Sequence, residues 1–329
     1  QAQNSIQSPD DFLGYNIGNQ YTRHHKVVDY FSHLDKNSSN ISYSTYGLTN
    51  ENRKLSYALI SSEENLNNIE NIRLNHLKQT GIVEGESNSE IAVVWLSYNV
   101  HGNEASGTEA AMVTAFKLIT SHENLLKNTV VIIDPSVNPD GRDRYVNWYN
   151  QVKAKPYSPY QDAVEHDEPW VSGRPNHYLF DLNRDWMWAT QVETQQRLKL
   201  YNKWMPHVHV DFHEQGINEP YYFAPAAEPF HKVITDFQKD FQTKIGKNNA
   251  EVFDENSWDY FTRERFDLFY PSYGDTYPTY NGAIGMTYEQ AGNGRAGLGI
   301  NTDEGYELTL VDRIKHHVAT GLSTVKTAS

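Results

Sequence analysis

The chain has 329 residues, no cysteine, and 28 Lys plus Arg against 42 Asp plus Glu, a net charge of −14. A length of this order suits one large α/β unit or two small ones, and the absence of cysteine excludes disulfides, thiolate nucleophiles and Cys-ligated zinc, so any metal must be held by His, Asp or Glu. The acidic excess argues against nucleic acid or an anionic membrane as partner, and no apolar run is long enough to span a bilayer.

The opening Gln1-Ala2-Gln3-Asn4 is polar and reads as the trimmed front of an exported protein, which sets secretion or a periplasmic location as the expectation. Gln20 to Leu34 carries apolar residues at helical spacing. Ile41 to Tyr46 and Leu55 to Ile60 read as strands joined by a polar turn, and Ile91 to Val100 as a strand buried on both faces. His101-Gly102-Asn103-Glu104 follows at once, and Ala105 to Ile119 reads as helix. Thr129 to Pro135 is a second buried strand. Tyr149 to Leu179, rich in Pro, Tyr and Trp, is expected to be a long functional loop or lid. Helices are expected over Thr190 to Trp204, Pro229 to Lys247 and Glu304 to Thr324, with strands at His207 to His213 and Gly285 to Gln290. The alternation predicts one α/β unit over 1–329: a mixed, mainly parallel central sheet flanked by helices on both faces.

Ligand sites in such sheets lie beyond the carboxyl ends of the strands. His101, His213 and Glu289 each close a predicted strand. Zinc in a hydrolase takes three protein ligands and leaves one position open. His101 and Glu104, three apart across a glycine turn, can converge on one ion. His207, His209 and His213 alternate onto one strand face, so any of them could be an ordinary core histidine; the strand-end position favours His213.

Several motifs occur in one order: His101-Gly102-Asn103-Glu104, Asn138-Pro139-Asp140-Gly141, Gly173-Arg174, Asp181-Leu182-Asn183-Arg184, His213, and Tyr288-Glu289. The set resembles the zinc metallocarboxypeptidases, the family of carboxypeptidases A, B and D, from about Gln20 to the last helix. The resemblance implies one zinc ion on His101, Glu104 and His213, with Glu289 as the general base; Glu214 is the rival base. Arg174, nine positions before Asn183, matches the arginine that polarises the scissile carbonyl, with Arg144 as fallback. Asn183 and Arg184 match the clamp on the substrate's terminal carboxylate, and a guanidinium suits that task because it binds a carboxylate bidentately. Asp181 matches an acid that orients the first histidine. Tyr270 is the preferred match for the family's mobile tyrosine, with Tyr273 and Tyr277 nearby.

The implied substrates are the C-termini of peptides or proteins. A deacylase or amidase of the same fold, or an inactive binding module, would depart from this pattern at the clamp or the ligands, and both are intact here. At the two pocket positions where relatives that cut after basic residues carry an acid, this chain has Ala224 and Tyr277, which predicts poor activity on C-terminal Lys and Arg. Arg263 and Arg265 either turn into the pocket or lie in solvent.

Overall fold

The computed structural model describes residues 6–329; the polar start at Gln1 to Asn4 lies outside them. Eight strands form one sheet in the order β1-β2-β4-β3-β5-β8-β6-β7. They are β1 (Ile41–Leu48), β2 (Lys54–Ile60), β3 (Ala92–Tyr98), β4 (Thr129–Asp134), β5 (Val208–Gln215), β6 (Tyr221–Tyr222), β7 (Tyr260–Phe261) and β8 (Ile284–Ala291). β4, β3, β5 and β8 run parallel at the centre, while β1 and β2 continue the sheet antiparallel on one side and β6 pairs antiparallel with β8 on the other. The four central strands are buried almost throughout, β3 and β4 as near-continuous apolar runs and β5 and β8 with polar residues that turn toward the site.

The helices in chain order are α1 (Pro9–Leu13), α2 (His24–Asn37), α3 (Glu63–Asn67), α4 (Ile69–Gln79), α5 (Ser106–Thr120), α6 (Pro139–Val152), α7 (Val192–Trp204), α8 (Asp236–Asn256), α9 (Thr276–Tyr280) and α10 (Leu310–Ala328). Strand periodicity of two sorts the core into two layers. Val94, Leu96, Phe212 and Tyr288 pack with α2, α5, α8 and α10, whereas Val93, Trp95 and Ile132 pack with α4, α7 and Trp186.

Several elements differ from expectation, among them α4, which the sequence reading does not include. α6 was not anticipated from the sequence: Asn138 caps it by accepting from the Gly141 N–H, and Pro139 takes the first helical position, where its missing N–H costs nothing. α8 and α10 start late, at Asp236 and Leu310. Thr235 with Gln238, and Thr309 with Asp312, form reciprocal capping boxes that fix those starts. Glu307 to Thr309, expected as helix, instead pairs with Gly299 to Asn301 as a small ribbon.

The expected long loop begins only after Val152. It carries Arg174, Asp181, Asn183 and Arg184, the last two in a 3₁₀ turn, Leu182–Arg184. Arg144, on α6, holds this segment by donating to the backbone carbonyls of Ser172, Pro175 and Asn176. The glycines of three motifs meet here. A Cβ on Gly102 would lie 2.1 Å from the Gly141 carbonyl carbon, and one on Gly141 would lie 2.3 Å from the Gly173 oxygen. Backbone packs directly on backbone at this point, so only glycine fits at these positions.

Candidate metal centre and catalytic pocket

β3 and β5 end side by side, and their last turns bring His101, Glu104 and His213 together, all nearly buried. One ligand atom from each lies within 4.8 Å of the others, the tightest such grouping of His, Asp and Glu among the described residues. His101 Nδ1 is 2.8 Å from Glu104 Oε1, His213 Nδ1 is 3.0 Å from Glu104 Oε2, and the two Nδ1 atoms are 3.3 Å apart. Donors about 2.0–2.1 Å from one ion stand roughly 3.3 Å apart at the corners of a tetrahedron, so this spacing fits zinc.

The outer ring nitrogens decide where the lone pairs point. His101 Nε2 lies 3.0 Å from Asp181 Oδ1, and His213 Nε2 lies 3.0 Å from Asp211 Oδ2. A carboxylate only accepts, so both Nε2 atoms carry a proton, and with a cation at the common centre both Nδ1 atoms would turn their lone pairs to it. Asp181 was anticipated from the sequence; Asp211 was not. Its signal was the Asp-x-His spacing, which places a carboxylate on the same strand face as the histidine two residues on. Burial alone would raise the Glu104 and Asp181 carboxyls. The two histidines beside Glu104 outweigh it, as do His101, Arg174 and Arg184 beside Asp181, and hold both well below the usual carboxylate range.

A cavity of about 470 Å³ opens on this cluster, lined also by Glu289, Arg174, Asn183, Arg184 and Tyr273. Glu289 ends β8 in register with His213. Its carboxyl is nearly buried and makes no hydrogen bond within the described residues. Burial, then the nearby Glu104 and Asp211, push it up to about 8, against the pull of His213 and Arg174. Glu214 points the other way. It accepts from the Ser106 N–H at 2.9 Å and pairs with the buried Arg313 at 3.3 Å.

Arg174 donates to Asp181 Oδ2 at 2.9 Å and sits 3.5 Å from Glu104 Oε1, which fixes its guanidinium beside the ligand cluster. Asn183 accepts from the Gly274 N–H at 2.7 Å through Oδ1, so its amide NH₂, 3.3 Å from His213 Nε2, is the donor end. Arg184 is half exposed, with its guanidinium 4.5 Å from the Tyr273 ring centroid.

Tyr270 stands outside the cavity lining, its hydroxyl accepting the Trp188 indole N–H at 3.0 Å. Ser272 sets which tyrosine faces Arg184. Its hydroxyl donates to the Arg184 carbonyl and accepts from the Met187 N–H, which turns Tyr273 rather than Tyr270 toward Arg184. Tyr277 stacks on Trp186 in the core layer.

The pocket-floor expectation also changes. Arg263 donates to Thr243 and Arg265 pairs with Glu219, both exposed, and neither lines the cavity, nor does Ala224. Asp267 and Asp275 do line it. Acids therefore reach the pocket from the segment before β8, a route that matching single positions did not follow.

A family model described as zinc carboxypeptidase matches residues 27–263. The chain belongs to the zinc carboxypeptidase family. Carboxypeptidase 2 of Trichophyton rubrum is 24% identical to this chain over 197 residues, 59% of this chain but 28% of that protein, so the chain spans well under two thirds of that relative's length. A metallo-carboxypeptidase from Burkholderia cenocepacia superposes with a TM-score of 0.64 at 14% identity, covering 94% of this chain and 69% of its own. Carboxypeptidase A from Helicoverpa armigera does so at 0.64 and 17% identity, covering 99% and 76%. At such identities the likeness is one of fold, a mixed α/β sheet flanked by helices. No helix among the described residues is long and apolar enough to cross a membrane.

Proposed function

We propose that residues 1–329 form one catalytic domain that hydrolyses the last peptide bond of peptides or proteins, using a single zinc ion held by His101, Glu104 and His213. The observation that carries this reading is the donor set itself: two Nδ1 lone pairs and a carboxylate converge on one point, each histidine held from behind by a carboxylate. A zinc ion there supplies Lewis acidity and brings the pKa of a coordinated water toward about 7. Glu289 is the general base: its carboxylate, free of protein partners, takes a proton from the attacking water and later delivers it to the leaving amine. Arg174 donates to the developing oxyanion at the scissile carbonyl. Asn183 and Arg184 bind the substrate's terminal carboxylate, and Tyr273 flanks that clamp in the place first assigned to Tyr270. An exported location fits a peptidase acting on outside peptides.

The clamp gives the test. A peptide with a free C-terminus should lose single residues from that end, and its C-terminally amidated twin should be cut at least about 100-fold more slowly, the scale of a lost charge-assisted contact left unpaired in a site. Equal cutting of the two, or cleavage inside the chain, would replace the exopeptidase reading with an amidase or endopeptidase one.

A further inference from the structure

Behind the ligand cluster, between the sheet and α7, lies a second group of polar side chains that the proposed reaction does not use. Ser97 is in register with Asp134 on one side and Asp211 on the other, so their side chains share the sheet face that α7 covers. His209 shares that face two residues before Asp211. Arg197 projects from α7 and lies flat on the Trp186 ring, 3.9 Å from its centroid. All are 1% exposed or less.

These groups are nearly without partners inside the protein. All three Arg197 nitrogens, both His209 nitrogens, the Ser97 and Tyr201 hydroxyls, and one oxygen each of Asp134 and Asp211 make no hydrogen bond. No carboxylate lies within ion-pair distance of Arg197 among the described residues, yet its charge acts on both Asp134 and Asp211. One buried unpaired polar group already costs more than a typical hydrogen bond contributes. So many left unsatisfied would exceed the net stability of a domain. Bridging water satisfies such groups where a site is polar and each water finds two to four partners, and these side chains offer donors and acceptors in that number.

We propose that ordered water links the Arg197 guanidinium to the free oxygen of Asp211, making Arg197 a positioning residue for the metal ligand His213. Asp211 Oδ2 accepts from His213 Nε2. Fixing Oδ1 as well sets the plane of the carboxylate, and through it the direction of the Nδ1 lone pair. Arg197 also supplies the positive charge that two buried carboxylates need. The inference rests on the reading of His213 as a zinc ligand.

Two measurements test it on the intact chain. A high-resolution crystal structure should show water bridging Arg197 and Asp211 Oδ1; no water between them, or direct contact between the two side chains, overturns the proposal whatever the metal content. Zinc affinity, read by competition with a chromophoric chelator, should weaken at least about 10-fold in Arg197→Met, the scale reported by removing outer partners of metal ligands, and recover in part in Arg197→Lys. A merely structural arginine would lower the melting temperature and leave zinc affinity unchanged, and that result also overturns the proposal. Should Arg197→Met not fold, the crystal structure and Arg197→Lys, which must weaken zinc if the fork is needed, still decide. Wild-type protein that binds no zinc would instead refute the ligand assignment itself.

Discussion

Glu289 and Glu214 sit at neighbouring strand ends, both nearly buried, and differ in almost everything else. Glu214 is tied down: Ser106 at the start of α5 donates to it, and Arg313 from α10 neutralises it. Glu289 faces the cavity with no partner, and its carboxyl is pushed up to about 8, first by burial and then by Glu104 and Asp211. A carboxylate whose lone pairs are committed has no capacity left for a substrate proton, whereas one held bare in a low dielectric has a strong appetite for it. The strand alternation that sends His213 into the pocket sends Glu214 to the core. Buried charge alone therefore does not mark a reacting group; a carboxyl left without a partner and facing the cavity does.

The largest effects should separate these two regions cleanly. Glu289→Gln should lower kcat by about 10²–10⁴-fold, the usual worth of a general base, with zinc content unchanged. Glu214→Gln should keep kcat within a few fold but lose about 3–5 kcal/mol of stability by leaving Arg313 buried and unpaired, read as a lower melting temperature. Next, His101→Ala, Glu104→Ala and His213→Ala should each lose zinc by elemental analysis, while His209→Ala, whose ring faces α7, should retain it.

Within the pocket, Arg174→Ala should lower kcat by about 10²-fold, the scale of a lost oxyanion donor. Arg184→Ala should mainly raise KM, because a clamp on the terminal carboxylate acts in both ground and transition states. Equal changes in kcat and KM for the two variants would merge roles that the geometry keeps apart.

The pH profile follows from the same contrast. A base works ionised, so activity rises with pH through its pKa. Burial and acidic neighbours lift Glu289 from its ordinary value of 4.5 to about 8, and a divalent cation on the ligands draws it back down. The acid limb of kcat/KM should therefore fall between these values and be absent from residual activity in Glu289→Gln. A limb at the ordinary glutamate value would place the base in a more solvated site. The smallest effect concerns the C-terminal residue. With Asp267 and Asp275 in the lining, matched peptides ending in Glu should be cut several-fold more slowly than those ending in Phe or Arg, which reverses the handicap first expected for Arg.

Much of this was legible before any coordinates. Val93 to Leu96 and Val130 to Ile133 read as buried strands because their apolar residues are unbroken, His207 to His213 reads as a strand by its alternation, and strand ends gathered His101, His213 and Glu289. The start of α6 was hidden because Pro139-Asp140-Gly141 has the composition of a turn, and only the Asn138 cap makes it a helix. Spacing favours Tyr270, whereas Tyr273 is the one turned toward Arg184, through a hydroxyl contact between Ser272 and a chain segment about 85 residues earlier. Asp211 was within reach of the strand period, because it lies two residues before His213 on one strand face, but the period alone does not tell a carboxylate that holds a ligand from one that merely lines the core.

The most direct test is one time course. Zinc-loaded wild type, Glu289→Gln and Glu214→Gln are incubated in parallel with a single unstructured peptide and sampled by mass spectrometry. The account predicts a ladder of products shortened one residue at a time from the C-terminus with wild type and Glu214→Gln, and intact peptide with Glu289→Gln. A ladder from Glu289→Gln matching that of wild type, or none from Glu214→Gln at a temperature where it remains folded and zinc-loaded, would contradict it.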